Sequence, residues 1–180
     1  MTQPDAKTIA VFGGYQQEVG GDLYRLAEKL GECVARRGWT LLNGGYAGSM
    51  EASARGARNA GGHTIGVTCA VFKREPNEYI AETIPTPDLW ARLRAMLDRG
   101  DGYIALPGAT GTLAEVAMVW EFLVKGFMPR RPMALLSGFW QPLYDMLVPN
   151  PGVRAAADGL VRVVQTPEEA VAFMEQTTND

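Results

Sequence analysis

The sequence predicts an α/β fold, namely one doubly wound parallel sheet flanked by helices on both faces. Three observations lead to this prediction. The chain has 180 residues, which is about the length of one domain. Short apolar runs alternate with segments of helical periodicity along the whole chain. The runs, such as IAVF and YIAL, have no polar face, which is typical of parallel strands covered by helices on both sides.

The first part of the chain predicts three strands and two helices. Residues 8–12 form a compact apolar run that ends at Gly13 and Gly14, which predicts a buried strand followed by a turn. Leucine, alanine and valine then recur at spacings of three and four over 23–34, which predicts an amphipathic helix that ends at Gly38. The same patterns predict a strand at 39–42, an alanine-rich helix at 49–60 and a strand at 64–68.

The rest of the chain continues this alternation after one irregular stretch. Residues 72–88 contain prolines at positions 76, 85 and 87, which predict a loop across the top of the sheet. Helices are then predicted at 89–99, 112–125, 140–147 and 167–176, and strands at 102–106, 132–136 and 160–164. We therefore expect one Rossmann-like domain over residues 1–180, with flexible ends at 1–7 and 177–180.

The composition excludes several kinds of chemistry. The single histidine, His63, cannot build a multi-histidine zinc site within one chain. The two cysteines, Cys33 and Cys69, have no CxxC spacing and no second pair, so they indicate neither a disulfide framework nor a thiolate metal cluster. We therefore expect no metal in the site and a cytoplasmic location.

Charge and hydropathy limit the partners of the chain. A formal net charge of −3 argues against binding to a nucleic-acid polymer, which normally needs a basic surface. No stretch reaches the ~18 apolar residues of a membrane span, and the first residues contain no apolar signal core, so we expect no membrane partner. A small anion such as phosphate remains a possible ligand, because a local site binds it whatever the net charge.

Glycines cluster where the predicted strands end. Eight of the 21 glycines lie there, at positions 13, 14, 44, 45, 48, 66, 108 and 111. Doubly wound sheets bind ligands at this edge, where glycine allows close approach of the backbone and the start of a helix favours phosphate. Glycine is also common in such loops simply because turns need it. Both the dinucleotide fingerprint GxGxxG and the P-loop pattern GxxxxGK[ST] are absent.

The segment PGATGTLAE, residues 107–115, carries the sharpest pattern in the chain. Its Pro-Gly-x-x-Gly part is a backbone suited to placing several N–H groups round an anion. Two interpretations of Glu115 stay open. The carboxylate lies beside a bound ligand, or it forms a capping box with Thr112 and only satisfies a backbone donor at the start of a helix.

PGATGTLAE resembles the PGGxGTxxE motif of the LOG (Lonely Guy) family, and NGGYAGSMEA resembles the GGGxxGLMGA loop of the same family. The similarity keeps the same order over roughly residues 8–175, as in a divergent bacterial-type member of this superfamily, whose members are often labelled lysine decarboxylases. The resemblance implies a hydrolase, a phosphoribohydrolase that splits a nucleoside 5'-monophosphate into free base and ribose 5-phosphate. It implies no cofactor.

The resemblance also assigns roles to residues. Arg92 and Glu115 match the residues that the family uses in catalysis. A carboxylate near C1' suits this reaction, because glycoside cleavage passes through a transition state with positive charge on the sugar. The residues expected to bind the phosphate and the rest of the nucleotide are Gly13, Gly14, Gly44, Gly45, Gly48, Met96, Pro107, Gly108, Ala109, Thr110, Gly111 and Thr112.

Four positions depart from the family pattern. Asn43, Glu51 and Ala109 stand where the motifs have glycine, and Leu93 stands where a lysine usually follows the arginine. Leu93 removes one cation, and Glu51 either adds a carboxylate to the site or is an exposed residue of a first helical turn. The departures leave an alternative function open, that of a non-catalytic carrier for a nucleotide or a phosphorylated cofactor of the molybdopterin type.

One helix carries more apolar residues than a surface helix needs. The cluster of Trp120, Phe122, Leu123, Phe127 and Met128 is either core or a dimer face. Since members of the family pair through this helix, we expect a homodimer.

A pyridoxal-phosphate lysine decarboxylase is not expected. The chain has four lysines, and only Lys73, in the irregular stretch, is placed where it can approach a cofactor. A lysine that forms a Schiff base is instead held rigidly beside the ring of the cofactor.

Overall fold

The computed structural model describes residues 6–153 and 159–176. The predicted flexible ends fall mostly on residues 1–5 and 177–180, which lie outside the described residues. Lys7 contacts residues of other elements. Its carbonyl accepts a hydrogen bond from the Thr40 N–H at 2.8 Å, and its ammonium donates to the Met174 carbonyl at 3.0 Å. These hydrogen bonds connect Lys7 to Thr40 and to Met174, and the flexibility of the ends stays a prediction.

Within the described residues, seven parallel strands form one sheet in the order β4-β3-β2-β1-β5-β6-β7. The strands are β1 Thr8–Phe12, β2 Thr40–Asn43, β3 Thr64–Cys69, β4 Glu82–Thr86, β5 Gly102–Ala105, β6 Met133–Leu136 and β7 Val161–Val164. The chain moves outward from β1 to β4 and then returns to place β5 on the other side of β1. This reversal is the topological switch point of a doubly wound sheet, and it confirms the predicted fold class.

Helices follow most of the strands and cover both faces of the sheet. They are α1 Asp22–Arg36, α2 Ser49–Asn59, α3 Leu89–Arg99, α4 Thr110–Lys125, α5 Gln141–Leu147 and α6 Pro167–Gln176, with short 3-10 helices at Ala70–Phe72 and Gly138–Trp140. Across residues 6–153 and 159–176, none of the helices is long and apolar enough to cross a membrane.

Alternate residues of each strand point to opposite faces and build two hydrophobic clusters. Ile9 and Val11 of β1 pack in the cluster formed with α1, α2 and α6. Ala10 and Phe12 pack in the cluster formed with α3, α4 and α5. All four side chains are almost completely buried. Both faces of the central strand are therefore covered, which explains why its sequence lacks a polar face.

Helices α1 and α2 pack together at two glycines. A Cβ at Gly31 would collide with the Ser53 carbonyl, and a Cβ at Gly56 would collide with the Glu28 carbonyl. Both obstacles are backbone atoms, which cannot turn aside as a side chain can. This contact fixes α2 against α1, and with it the position of Ser49 at the start of α2.

The stretch at 72–88, predicted to be a loop, contains the edge strand β4. This strand pairs with β3, and Pro85 lies opposite Thr68. Proline has no backbone N–H, but an edge strand has one side without a partner strand, where no donor is needed. The pattern ETIPT is weak because most of its side chains are exposed. The loop prediction is therefore wrong for Glu82–Thr86.

The apolar cluster on α4 belongs mainly to the core. Trp120 and Leu123 are buried, and Phe122 and Met128 pack partly against the cluster that covers this face of the sheet. Phe127, which follows the helix, is 71% exposed. The core interpretation is therefore confirmed for Trp120 and Leu123, and the homodimer stays a prediction.

Candidate active site

The loops after β1 and β5 lie side by side at the switch point. A Cβ at Gly13 would lie 3.4 Å from the Leu106 Cβ, and it would also collide with the Ser49 hydroxyl at the start of α2. The carbonyl of Gly14 accepts hydrogen bonds from the Ser49 N–H at 3.0 Å and from its hydroxyl at 2.8 Å. Two predicted glycine loops and the start of α2 therefore meet where ligands bind in doubly wound sheets.

The turn at 107–112 leads directly into α4. The helix begins at Thr110, and Ala109, Thr110 and Gly111 are exposed. The first N–H groups of a helix have no intrahelical partner and lie at the positive end of its dipole, which favours an anion. The turn is tight, because a Cβ at Gly108 would lie only 2.7 Å from the Cβ of the buried Thr112. The structure therefore places Ala109, Thr110 and Gly111 on an accessible helix start, whereas Thr112, which is also predicted to bind phosphate, is buried.

The capping-box interpretation of Glu115 is wrong. The N-cap residue of α4 is Ala109, so Thr112 already lies in the first turn and Glu115 lies in the second. From there the carboxylate cannot serve the backbone N–H of the N-cap. Ala109 has a φ of −97°, which any L-residue adopts, so alanine replaces the glycine of the family motif without strain.

Arg92 projects from the first turn of α3 and its side chain is only 12% exposed. Its Nε donates a hydrogen bond to the Val67 carbonyl at 2.9 Å. The guanidinium lies directly against Gly44, where a Cβ would collide with Nη2. Its Nη1 lies 3.5 Å from Oε1 of Glu115. The structure therefore brings the two predicted catalytic residues together, and Gly44 provides the space that Arg92 needs.

Glu115 is a carboxylic acid with an unusual environment. Its side chain is 14% exposed and lies on α4, facing Arg92. Burial raises the pKa of Glu115 to about 7, and the attraction of the Arg92 guanidinium opposes part of this rise. Glu115 is therefore a weaker acid than an ordinary glutamate, a perturbation that is frequent at functional sites.

The loop between β2 and α2 is held by Asn43, which stands where the family motif has glycine. The side chain is fully buried, and its amide donates to the Met50 carbonyl at 2.7 Å and to the Ser53 hydroxyl at 3.1 Å. Its amide oxygen accepts from the Gly45 N–H at 2.8 Å. Gly45 and Gly48 have φ of 78° and 69°, where other residues are strained. Asn43 therefore ties the two ends of the loop together.

Some predicted ligand residues do not reach open space. Met96 is 1% exposed and packs in the hydrophobic cluster under α3, α4 and α5. Gly44 and Gly45 are buried and Pro107 is half-buried. Gly44 lies directly against the Arg92 guanidinium.

Two of the departures from the family pattern lie away from the crevice. Glu51 is half-buried and accepts a hydrogen bond from the Tyr24 hydroxyl at 3.0 Å. Its predicted place in the first turn of α2 is confirmed, and the predicted exposure is wrong. Leu93 packs partly against the core, so no cation replaces the family lysine at this position of α3.

The sequence did not reveal four groups that contact Arg92 or the loop after β1. They are the Val67 carbonyl, the rings of Tyr46 and Phe72, and Ser49. The two ring centroids lie 6.0 and 5.9 Å from the Arg92 Cζ and stabilise its charge. Tyr46 lies inside the motif NGGYAG, so an aromatic residue enclosed by glycines was the available signal.

Among the described residues, no three or more histidine, cysteine, aspartate and glutamate side chains lie close enough together to hold a metal ion. His63 lies beside the amino end of β3, and its ring is 3.4 Å from the Glu82 carboxylate. Cys33 and Cys69 are free thiols.

The chain is similar to proteins of one known family. The profile of the SLOG cluster4 family matches residues 6–128. A Mycobacterium tuberculosis protein named cytokinin riboside 5'-monophosphate phosphoribohydrolase is 40% identical over 116 residues, which span 63% of this chain and 62% of that protein. The match thus covers less than two thirds of that relative.

Two solved structures are similar over almost the whole chain. The molybdenum cofactor binding protein of Rippkaea orientalis has a TM-score of 0.77 and 27% identity, and the match covers 97% of this chain and 98% of that one. The molybdenum cofactor carrier protein of Chlamydomonas reinhardtii has a TM-score of 0.75 and 26% identity, covering 95% and 97%. Since the profile matches more than half of the chain and includes both Arg92 and Glu115, the protein belongs to the SLOG cluster4 family.

Proposed function

We propose that the protein hydrolyses the N-glycosidic bond of a nucleoside 5'-monophosphate and releases free base and ribose 5-phosphate. The observation that supports this function is the largely buried pair of Arg92 and Glu115, 3.5 Å apart, at the edge of the sheet that carries the exposed turn at 107–112. The name of the mycobacterial relative describes the same reaction.

The turn binds the 5'-phosphate in this proposal. The free N–H groups at the start of α4 donate to the phosphate oxygens, and the dipole of α4 adds a favourable field. The phosphate then anchors the nucleotide, so that its sugar lies near the Arg92–Glu115 pair. Binding energy from the phosphate, which does not react, is thereby used to orient the bond that breaks.

Glu115 acts on the sugar and on water. The C1'–N bond breaks, its electron pair leaves with the base, and the base takes up a proton from the solvent while C1' gains positive charge. The ionised Glu115 stabilises that charge and accepts a proton from the water that attacks C1'. Arg92 keeps the carboxylate in place and favours its ionised form.

The pH dependence follows from the raised pKa of Glu115. Because the active form is the ionised carboxylate and its pKa is about 7, kcat/KM rises as the pH increases through about 7. Replacing Arg92 removes the positive charge that lowers this pKa, so the rise moves to higher pH.

The test is release of free base. AMP, GMP, CMP and a cytokinin nucleotide are incubated with the wild-type protein, and free base is separated by chromatography. Glu115→Gln should lose at least ~100-fold in kcat/KM, the usual scale for a group that transfers a proton. Glu121→Gln is the matched control, since Glu121 lies on the same helix with its side chain 54% exposed. Base release by the wild type no faster than by Glu115→Gln refutes the proposal.

A second function is supported by the two solved structures. Both are named as proteins that bind or carry the molybdenum cofactor, and each matches at least 95% of this chain. In this case the crevice holds a phosphorylated ligand without turning it over. Native mass spectrometry of freshly purified protein distinguishes the functions, because a carrier retains a ligand at a stoichiometric ratio.

A homodimer in the cytoplasm is the setting that we propose for either function. The exposed Phe127 beside the partly buried Phe122, with ring centroids 5.9 Å apart, is an apolar surface suited to a second copy. Sedimentation of the wild type and of Phe127→Ser tests the dimer. A wild type that sediments as a monomer excludes it.

A further inference from the structure

A second arginine lies at the mouth of the crevice, on the segment that follows β3. We call residues 70–77 the strap. The Arg74 Cζ lies 4.7 Å from the centroid of the Tyr15 ring, and both side chains are exposed. Throughout 6–153 and 159–176, no carboxylate forms an ion pair with Arg74. Its guanidinium therefore keeps its N–H donors for a ligand.

The strap is fixed at both ends. The Asn77 N–H donates to the Gly45 carbonyl at 2.8 Å, and the Asn77 amide donates to the Tyr46 carbonyl at 2.8 Å. At the other end, the Tyr46 hydroxyl accepts from the Cys69 N–H at 2.8 Å. Between these anchors Phe72 packs against the guanidinium of Arg92, at 5.9 Å. The strap thus passes over Arg92 on its way to Tyr15.

The Tyr15 backbone lies close to the start of α2. Tyr15 follows Gly13 and Gly14 at the end of β1, and its backbone is so close to α2 that a Cβ at Gly48 would lie 2.5 Å from the Tyr15 carbonyl carbon. The loop after β1 also contacts the start of the turn at 107–112, through Gly13 and Leu106. Arg74 is therefore brought to the same edge of the sheet as the proposed phosphate site.

We propose that Arg74 binds the phosphate of the ligand from the side of the strap. This inference rests on the proposed phosphate ligand. A phosphate monoester carries a charge between −1 and −2 near pH 7, and Arg92 is already paired with Glu115. A guanidinium stacked on an aromatic ring still offers N–H groups in its own plane, which suits two oxygens of a phosphate.

The experiment measures binding rather than turnover. Ribose 5-phosphate, which has no base to release, and adenosine, which has no phosphate, are titrated into the wild type and into Arg74→Ala and Arg74→Lys. Arg162→Ala is the matched control, because the Arg162 Cζ also lies 4.7 Å from an aromatic centroid, that of Phe173. Thermal denaturation checks that each variant is folded.

We expect Arg74→Ala to weaken binding of ribose 5-phosphate about tenfold, the loss expected for one charge-assisted contact, and to leave adenosine binding unchanged. Arg74→Lys should lose less, and Arg162→Ala should bind as the wild type does. The inference is overturned if Arg74→Ala binds ribose 5-phosphate as tightly as the wild type, or if it loses as much affinity for adenosine as for ribose 5-phosphate. It is also overturned if the wild type binds no ribose 5-phosphate. Absence of base release from AMP, with the tenfold loss observed, overturns only the proposed reaction.

Discussion

Gly44→Ala moves the Arg92 side chain while the backbone around it keeps its course, so it tests the role of Arg92. An added Cβ would collide with Nη2 of Arg92 and would lie 3.0 Å from its Cζ and 2.6 Å from the Met50 Sδ. These atoms are the far ends of flexible side chains, so the backbone keeps its course and the side chains move. The substitution therefore displaces Arg92 without removing any of its atoms.

The size of the effect follows from the contacts that Arg92 loses. The hydrogen bond from Nε to the Val67 carbonyl, at 2.9 Å, involves a charged donor and is worth about 1.5–3 kcal/mol. Once this hydrogen bond no longer holds Arg92 in line with Glu115, the transition state loses a correctly placed charge, and we expect kcat/KM to fall by roughly 10- to 100-fold. The ion pair with Glu115 also lengthens beyond 3.5 Å. Weaker attraction by Arg92 raises the pKa of Glu115 further, so we expect the pH midpoint of kcat/KM to rise by about one pH unit.

The assay is base release from the preferred nucleotide between pH 5 and 9, together with thermal denaturation. Gly138→Ala is the control, because a Cβ at Gly138 meets no atom within 4 Å. It should leave both the rate and the midpoint unchanged. If Gly44→Ala is folded and keeps the wild-type kcat/KM and pH midpoint, the role assigned to Arg92 is refuted.

Three further substitutions test the stability of the site and its supports by urea denaturation. Burial raises the pKa of Glu115 from 4.5 to about 7, so the stability of the fold decreases as the pH rises through this range. Glu115→Gln should therefore be more stable than the wild type by about 3 kcal/mol at pH 8, but not at pH 4. If Glu115→Gln and the wild type are equally stable at both pH values, this prediction is wrong. Gly31→Ala, whose Cβ meets the backbone of α2, should cost about 3 kcal/mol, whereas Gly138→Ala should cost less than ~0.5 kcal/mol. Asn43→Gly restores the glycine of the family motif but leaves the buried Gly45 N–H without its partner, so it should cost about 2 kcal/mol of stability. A gain in stability would show that the loop does not need these hydrogen bonds.

The sequence predicted the central strand and two of the helices with the bounds that the structure shows. β1 was predicted as 8–12, and α3 and α6 as 89–99 and 167–176, in agreement with the structure. The edge strand β4 was missed because an edge strand is largely exposed and tolerates Pro85, so it has neither the apolar run nor the lack of proline that marks a central strand. The start of α4 was misplaced because its N-cap is Ala109, which has no capping side chain.

The candidate site was predictable in its residues but not in its contacts. The motifs named Arg92, Glu115 and the glycines, since these residue types must stand at fixed positions in the chain. The contact of Arg92 with the Val67 carbonyl involves a backbone atom, for which any residue serves, so no sequence pattern marks it. The contact between Tyr15 and Arg74 joins two loops that only the folded sheet brings together.

The arrangement around Arg92 and Glu115 is better explained by chemistry than by stability. A buried ion pair loses the hydration of both charges, and an apolar pair of the same volume is often at least as stable. Here the pair is 3.5 Å apart, and burial outweighs Arg92 in setting the pKa of Glu115, so the carboxylate is poorly compensated. Yet Gly44 leaves room for the guanidinium, and the rings of Tyr46 and Phe72 hold it. A buried carboxylate with a raised pKa, beside an arginine that is held by this many contacts, is a common feature of functional sites, and it supports the catalytic role that we propose for Glu115.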